Sequence, residues 1–470
     1  MKKEKKEINN GLMEKILSLA KRRGFVYPSS EIYGGLANTW DFGPLGTELK
    51  NNIKNSWWNF FVHQRDDVFG LDAAILMNPK TWAASGHLSG FSDALIECKS
   101  CHERFRADML QKDKKGNYVC PSCGKNEFTE PKQFNLMLKT FLGPSQDKAH
   151  VVYFRPETAQ AIFVNFKQIL DTMSPKIPFG IAQIGKAFRN EVTPGNFIFR
   201  TREFEQMEIE YFVKPTVWQD QFEYWLEEVK KWMRLVGLDE SKLSYHEIPE
   251  NERAHYSKRT IDIEFEFPFG TKELYGLAYR GDFDLRSHQT ASGQDLEYFD
   301  ETTQEKFLPH VIEPSLGVER TALALLVSAY KEEKLDPVRS NQVTDTVLGA
   351  GPTSNGVEKD IRVYLDLDIK IAPFKAAVFP LMANKPDLVK KARDIYLKIK
   401  SSGIVPVAFD NNGNVGKRYR RQDEIGTPYC FTVDFQTLED DTITVRDRNT
   451  MKQERIRVDK IPEFLKEKMK

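Results

Sequence analysis

The chain is short of every feature that would send it to a membrane or an export route. No segment approaches the roughly 18 uninterrupted apolar residues of a membrane span. The first ten residues, MKKEKKEINN, mix Lys with Glu and lead into no apolar signal stretch, and their acidic members also argue against a mitochondrial presequence. A cytoplasmic location is expected. Net charge is lacking too: 68 basic residues meet 68 acidic ones. A nucleic-acid partner would therefore have to be held by a local patch. No internal repeat is visible, and low complexity is confined to the charged ends. Five cysteines in 470 residues do not make a disulfide scaffold, whereas 40% apolar content is ample for the cores of two or three domains.

Four of the cysteines are paired as Cys98-x2-Cys101 and Cys120-x2-Cys123, with 18 residues between the pairs. This is zinc-ribbon spacing, since each CxxC turn can set two thiolates on one side of a metal. Gly116 and Gly124 stand where tight turns would be helped. A redox pair, another metal or unoccupied thiols are the rival readings. His102 adjoins a ligand position but is surplus to a complete cysteine set. Cys430, in PYCFTVDF, reads as a buried strand thiol.

Periodicity organises the rest. A helix rich in aromatics is expected from near Thr47 through Trp57, Trp58 and Phe61, covered either by the protein's own core or by a second subunit. Trp218, Phe222, Trp225, Val229 and Trp232 recur at helical spacing and predict a helix over 217–236 packed on a sheet. Ile261, Ile263, Phe265 and Phe267 alternate with Asp262, Glu264 and Glu266, as in a half-buried antiparallel strand. Long antiparallel strands with helices imply an α+β domain over 1–350, interrupted by the cysteine insert at 98–123. GAGPTSNG marks a linker, and 351–470 reads as a second, α/β domain with Leu388, Ala392, Ile395 and Ile399 on the buried stripe of a helix.

The most informative stretch is FRNEVTPGNFIFRTREFEQMEIEY, from Phe188 to Tyr211. In an extended chain, residues two apart share a face. Arg189 with Glu191, and Arg200 with Arg202, Phe204, Gln206 and Glu208, would make faces too polar for a core. Guanidinium forks, a carboxylate and an aromatic suit a ligand with phosphates, an amino-bearing edge and a flat ring, as in ATP. A solvated hairpin with cross-strand ion pairs is the plainer alternative. Further polar groups lie in unusual surroundings: Arg155 and Glu157 in VYFRPETAQ, Glu273 and Asp282 in KELYGLAYRGDFDL, and Glu313, Ser315 and Arg320 in HVIEPSLGVERTALALL. Ser315 reads as a helix N-cap and Glu319 as a capping-box carboxylate.

Together these segments resemble the class II aminoacyl-tRNA synthetases, and within them the single-polypeptide, homodimeric glycyl enzymes. FRNE with Arg200-x-x-x-Phe204 is similar to motif 2, EPSLGVER to motif 3, and Gly43-Pro44-Leu45-Gly46 with its aromatic helix to motif 1, the dimer element. RPETAQAIF, Ser85-Gly86-His87, GKRYRRQDEIGTP and VRDRNTMKQ are also similar to glycyl enzymes. The resemblance implies an antiparallel catalytic domain, an anticodon-binding domain, and ATP, Mg²⁺, glycine and tRNA(Gly) as ligands. It implies that Arg189 binds the α-phosphate, Glu191 reads the adenine amino group and Phe204 stacks on the ring. Arg200 and Arg320 would hold the γ-phosphate end, and Glu273 the Mg²⁺. Glycine would lie among Glu157, Glu208, Glu313 and Ser315, and tRNA against Lys417, Arg418, Arg420 and Arg421, with Tyr419 interleaved for stacking; a solvated charged face is the alternative for that patch. Relatives charging threonine, proline or histidine, and an inactive nucleic-acid-binding accessory protein on the same scaffold, are the competing identities. The absence of any nucleophile–base pair agrees with catalysis by positioning and charge neutralisation.

Overall fold

The computed structural model describes residues 2–146, 150–192, 195–334 and 361–469. Its centre is a seven-stranded sheet whose strands, in chain order, are β1 (Val68–Gly70), β2 (Phe179–Phe188), β3 (Glu203–Val213), β4 (Leu243–Glu247), β5 (Arg259–Phe267), β6 (Gly270–Gly281) and β7 (His310–Gly317). They lie in the order β4-β5-β6-β7-β3-β2-β1, antiparallel throughout except for the β2–β1 pair. β5 is the alternating strand expected: Ile261, Ile263, Phe265 and Phe267 are buried and Glu266 is exposed.

Three helices cover the apolar face of this sheet. The first, α1 (Pro44–Trp58), starts three residues before the expected position, because Pro44 pre-sets the helical φ at a site that needs no amide donor. Its Leu49, Ile53 and Trp57, with Phe61 of the turn that follows, enter the main core, where Phe61 stacks near Trp225 and Trp232. The protein's own core thus covers most of this aromatic surface. A helix over Trp218–Val236 buries Phe222, Trp225, Val229 and Trp232 as predicted and stops at Gly237 in the left-handed region. The helix Val318–Ala329 is buried almost all round. On the opposite face lie the helices Ala159–Met173 and Phe283–Ser292, which bury a second, smaller apolar cluster against β2, β3 and β7.

The cysteine module is a three-stranded sheet formed by Ser92–Glu97, Arg104–Arg106 and Lys132–Asn135. Beyond the central sheet, Ala376–Pro380, Val407–Phe409 and Tyr429–Val433 run parallel, and Thr442–Asp447 and Gln453–Arg457 extend the same sheet antiparallel. Helix Pro386–Ser401 covers one face with Leu388, Ala392, Ile395 and Ile399, and Cys430 is buried in the sheet.

The GAGPTSNG linker and the 350/351 boundary fall outside the described residues. The segment that follows departs from the expected division. Ile361–Leu365 pairs with Tyr330–Lys334, and Leu365, Leu367, Ile371 and Ala372 join the core of the first domain. Asn52 of α1 donates to the carbonyls of Ile371 and Ala372. The C-terminal sheet itself begins at Ala376. No helix among the described residues is long and apolar enough to cross a membrane.

Candidate active site

The polar face of the sheet is built in rows. Register places Gln183, Glu208, Ser315 and Gly276 side by side across β2, β3, β7 and β6, with Gly185, Gln206 and Gly317 in the adjacent row. Gly185 has a physical reason. A Cβ there would lie 2.1 Å from Nη2 of Arg155, whose guanidinium crosses the sheet to donate to the carbonyls of Lys186 (2.7 Å) and Ala73 (2.9 Å).

At one end of these rows is an open cleft with a cavity volume of about 140 Å³, lined by Arg189, Glu191, Arg200, Phe204, Glu273 and Arg320, together with Gln206, Ser315 and Glu319. All six residues expected to bind ATP therefore converge, though not by a single strand alternation. β2 ends at Phe188 and β3 begins at Glu203, so Arg189, Glu191 and Arg200 approach from the connecting loop. Arg202 turns away and donates to the carbonyl of Ala37. Arg189 is held by the Pro156 carbonyl (3.0 Å) and its guanidinium lies 5.2 Å from the Phe204 ring. Glu191 is buried, and one of its oxygens has no hydrogen-bond partner among the described residues. Arg320 pairs with the half-exposed Glu273 at 3.2 Å and lies 4.6 Å from the Phe199 ring. That arginine's positive charge holds the Glu273 carboxyl below its ordinary range.

Beyond Ser315 the face becomes a buried acidic pocket. Glu208 accepts from Ser315 Oγ (2.6 Å), Gln206 Nε2 (2.7 Å), the Thr158 amide (3.0 Å) and the Thr158 hydroxyl. Ser315 is thus a strand residue serving the site, and Gly317 occupies the N-cap instead, because β7 stays paired through Gly317. Glu319 makes no capping box; it accepts from Lys50 Nζ and from the Glu205 amide. Glu157 meets His87 Nε2 at 3.3 Å and accepts from Gln160 Nε2 at 3.0 Å. Glu313 accepts from Arg280 at 2.7 Å. Burial pushes Glu157 upward, but His87, Arg280 and Gln160 outweigh it and hold the group well below the usual carboxylate range. Burial raises Glu208, with Glu157 adding to the effect. Burial also drives Glu313 up to about 8 against the pull of Arg280. Sequence reasoning missed Arg280, Asp284 and Glu210 in this pocket. Each is a buried charge whose partners come from other elements, and the only signal was a charged residue on the Gln206–Glu208–Glu210 face.

In the cysteine module all four Sγ atoms lie within 4.8 Å of one another, with Cys98–Cys123 and Cys101–Cys120 each at 3.6 Å. Tetrahedral zinc with Zn–S bonds of ~2.3 Å would set sulfur separations at roughly 3.8 Å, so the donor set fits that ion. The two turns are built alike: the Cys98 carbonyl accepts from His102 N, and the Cys120 carbonyl from Gly124 N, with His102 and Gly124 both at positive φ. Gly116 serves the hairpin tip instead, closing on Asp113. His102 is exposed and approaches Glu97, outside the cysteine set.

The C-terminal basic run is divided by its helix, Val415–Ile425. Lys417 and Arg420 are exposed. Arg418 is fully buried, donating to the carbonyls of Pro380 and Gly413, so its charge is spent inside the domain and it is not a surface contact for RNA. Tyr419 is buried with its hydroxyl bonded to Thr432, which removes it as a stacking platform, and Arg421 is forked onto Asp410 (2.7 and 2.9 Å). Further along, Asp423 accepts from both Arg362 and Arg446, and Arg448 reaches Asp366 and the carbonyls of Gly426 and Leu367.

An antiparallel sheet that carries an arginine-lined cleft beside a cluster of buried carboxylates has the architecture of a class II synthetase. Residues 140–330 match the model of the tRNA synthetase class II core domain (G, H, P, S and T), and residues 375–468 that of the anticodon binding domain. The chain is 50% identical to the glycine--tRNA ligase of Alkaliphilus oremlandii over 97% of its own length and 98% of that protein's. Identity is 50% to the glycine--tRNA ligase of Lachnospira eligens (97% and 99% covered) and 48% to that of Thermobifida fusca (97% and 98%). The protein belongs to the glycine--tRNA ligase family.

Proposed function

We propose that this protein activates glycine with ATP and transfers it to the 3′ end of tRNA(Gly). The observation that carries this reading is the continuity of the Arg189–Arg320 cleft with the Glu157–Glu208–Glu313 pocket through Ser315, which lines the first and bonds into the second. ATP fills the cleft. Phe204 lies beneath the adenine, and the unpartnered oxygen of Glu191 accepts from its exocyclic amine. The α-ammonium of glycine enters the acidic pocket, which aims its carboxylate at the α-phosphorus. That carboxylate attacks, pyrophosphate leaves, and Arg189 neutralises the charge that develops on the phosphoryl oxygens. No enzyme nucleophile is needed.

The Arg320–Glu273 pair fits the binding of a triphosphate. Arg320 exchanges Glu273 for the γ-phosphate end, beside Arg200, and leaves a hard carboxylate oxygen of the kind Mg²⁺ prefers. When bound, that ion shields the charge of the leaving pyrophosphate. The ribose hydroxyl of the tRNA terminus then attacks the adenylate carbonyl. In the C-terminal domain, Lys417 and Arg420 are the cations of the basic run free to meet tRNA phosphates. Zinc in the four-cysteine module would act structurally, tying its two turns together.

A second copy of the chain is proposed to cover the 29–38 loop, where Ile32, Tyr33 and Leu36 are 88%, 87% and 63% exposed. Light scattering on the purified protein tests the dimer. ATP–pyrophosphate exchange across all amino acids tests the activity: exchange with glycine alone is expected, and its absence would leave the reading of an inactive nucleic-acid-binding scaffold.

A further inference from the structure

Around Arg280 the buried charges do not balance. Its guanidinium forks onto Asp284 (2.8 and 2.9 Å) and gives one more bond to Glu313 (2.7 Å). A third carboxyl, Glu210, is fully buried on the same face. The β3–β7 register that pairs Glu208 with Ser315 and Tyr211 with Ile312 puts Glu210 directly opposite Glu313. Neither oxygen of Glu210 has a hydrogen-bond partner among the described residues. Two carboxylates held side by side in a dry pocket cannot both stay ionised with one shared guanidinium for compensation.

Among the described residues whose charges act on Glu210, Arg280 is the cation and the others are the carboxyls of Glu313, Glu208 and Asp284. Glu208 lies on β3 itself, Glu313 on β7 and Arg280 on β6; Asp284 and His288 come from the Phe283–Ser292 helix. Glu157, paired with His87, shares the Gln160 amide with Asp284 and adds its charge to Glu313, and the Tyr256 ring lies 3.8 Å from the Arg280 guanidinium. Arg155 and Arg189 act on Glu208. On β2, Gln183 is buried with both its side-chain polar atoms unpartnered. A carboxylic acid can both donate to and accept from such an amide; a carboxylate can only accept.

We infer that the empty amino-acid pocket holds a proton on the Glu210–Glu313 pair, and that the ammonium group of glycine displaces it. The inference rests on the reading that glycine occupies this pocket. The exchange is balanced: one proton leaves for solvent as one ammonium enters, with no covalent or redox change. Burial keeps both carboxyls above their ordinary range, in line with a proton present at neutral pH. Glu210 is in these terms a positioning residue, since it acts on the ammonium through Glu313. A ligand without an ammonium, such as glycolate, has nothing to exchange.

Calorimetry of glycine binding to the intact enzyme at pH 7, run in phosphate and in Tris, reads the protons directly. Release of about one proton per glycine is expected. Binding with no proton release overturns the inference and leaves the site reading intact, whereas absence of both glycine binding and glycine-dependent exchange removes the site reading itself. A second measurement assigns the proton to this pair. In wild type, the glycine KM in pyrophosphate exchange should fall about tenfold per pH unit on the acid side. In Glu210→Gln the charge that keeps the proton on Glu313 cannot form, and the steep region should move about one pH unit lower or further. A profile superimposable on wild type overturns the role of Glu210. If the variant fails to fold, the wild-type calorimetry alone decides whether a proton leaves as glycine enters.

Discussion

Lys50 and Glu319 meet at 2.6 Å in the interior, and the same ammonium reaches Glu205 at 2.5 Å. Lys50 comes from α1, Glu205 from β3 and Glu319 from the helix after β7, so one cation ties α1 to a strand and a helix that border the arginine cleft. Glu319 completes the knot by accepting from the Glu205 amide. Lys50→Met leaves two carboxylates buried, with Glu205 retaining only Lys54. A loss of about 3 kcal/mol in a denaturant titration is expected. A loss under about 1 kcal/mol would show the cluster to be solvated.

The cleft arginines should act on chemistry more than on folding, since Arg189 and Arg320 are only partly buried. Either Arg→Ala change is expected to lower kcat for pyrophosphate exchange by about 10²- to 10³-fold with little change in melting temperature. Phe204→Ala should instead raise the ATP KM, by about tenfold, through loss of ring stacking. Unaltered exchange in Arg189→Ala would place the α-phosphate elsewhere.

In the C-terminal helix the basic run should separate into two phenotypes. Replacing Lys417 and Arg420 by Ala is expected to raise the tRNA KM, flatten its salt dependence by about one log unit per lost phosphate contact, and leave exchange intact. Arg418→Ala should lower the melting temperature of the domain, because it strands the carbonyls of Pro380 and Gly413. An unchanged tRNA KM in the double variant would move the RNA contact off this helix.

The cysteine module should carry about one zinc per chain by atomic absorption. Chelation, or Cys101→Ser, is expected to unfold the module and raise its protease sensitivity. Full protection without metal would mean that the hairpin hydrogen bonds alone hold it.

The pH dependence of stability follows from Glu313, whose pKa is raised by burial to about 8. The folded state binds this proton more tightly than the unfolded chain does. The contribution is therefore complete below the ordinary carboxyl range near 4.5 and is lost as pH climbs through about 8. Glu157 has the opposite sign, but its depressed pKa places its effect in acid. Between pH 5 and 9, melting of wild type should decline more steeply than melting of Glu313→Gln; parallel curves would rule this out.

The arginine cleft was largely legible in the sequence because several of its groups are polar residues at strand-like spacing where a core would be apolar. Arg189 and Arg200 were grouped by alternation but reach the cleft from a loop, so the resemblance to motif 2 located them where strand spacing did not. Ser315 was misjudged as an N-cap because Pro-Ser-Leu-Gly ahead of a helical run is consistent with either a cap or a strand end. Only the pairing with Glu208 distinguishes them. Arg418 and Tyr419 looked like surface groups because a helix written as KRYRR does not reveal which face is inward. Arg280 and Glu210 could not be read at all, since a buried charge is intelligible only beside partners supplied by distant strands.

The packing of 361–372 against the first domain also fixes where the molecule can be divided. A cut in the stretch before Ile361 would strip the catalytic half of Leu365, Leu367, Ile371 and Ala372 and strand those apolar residues on the other fragment. Soluble, separable halves are expected only from a junction between Ala372 and Ala376. Even there, Asp423 would surrender its bond to Arg362, and Arg448 its bond to Asp366.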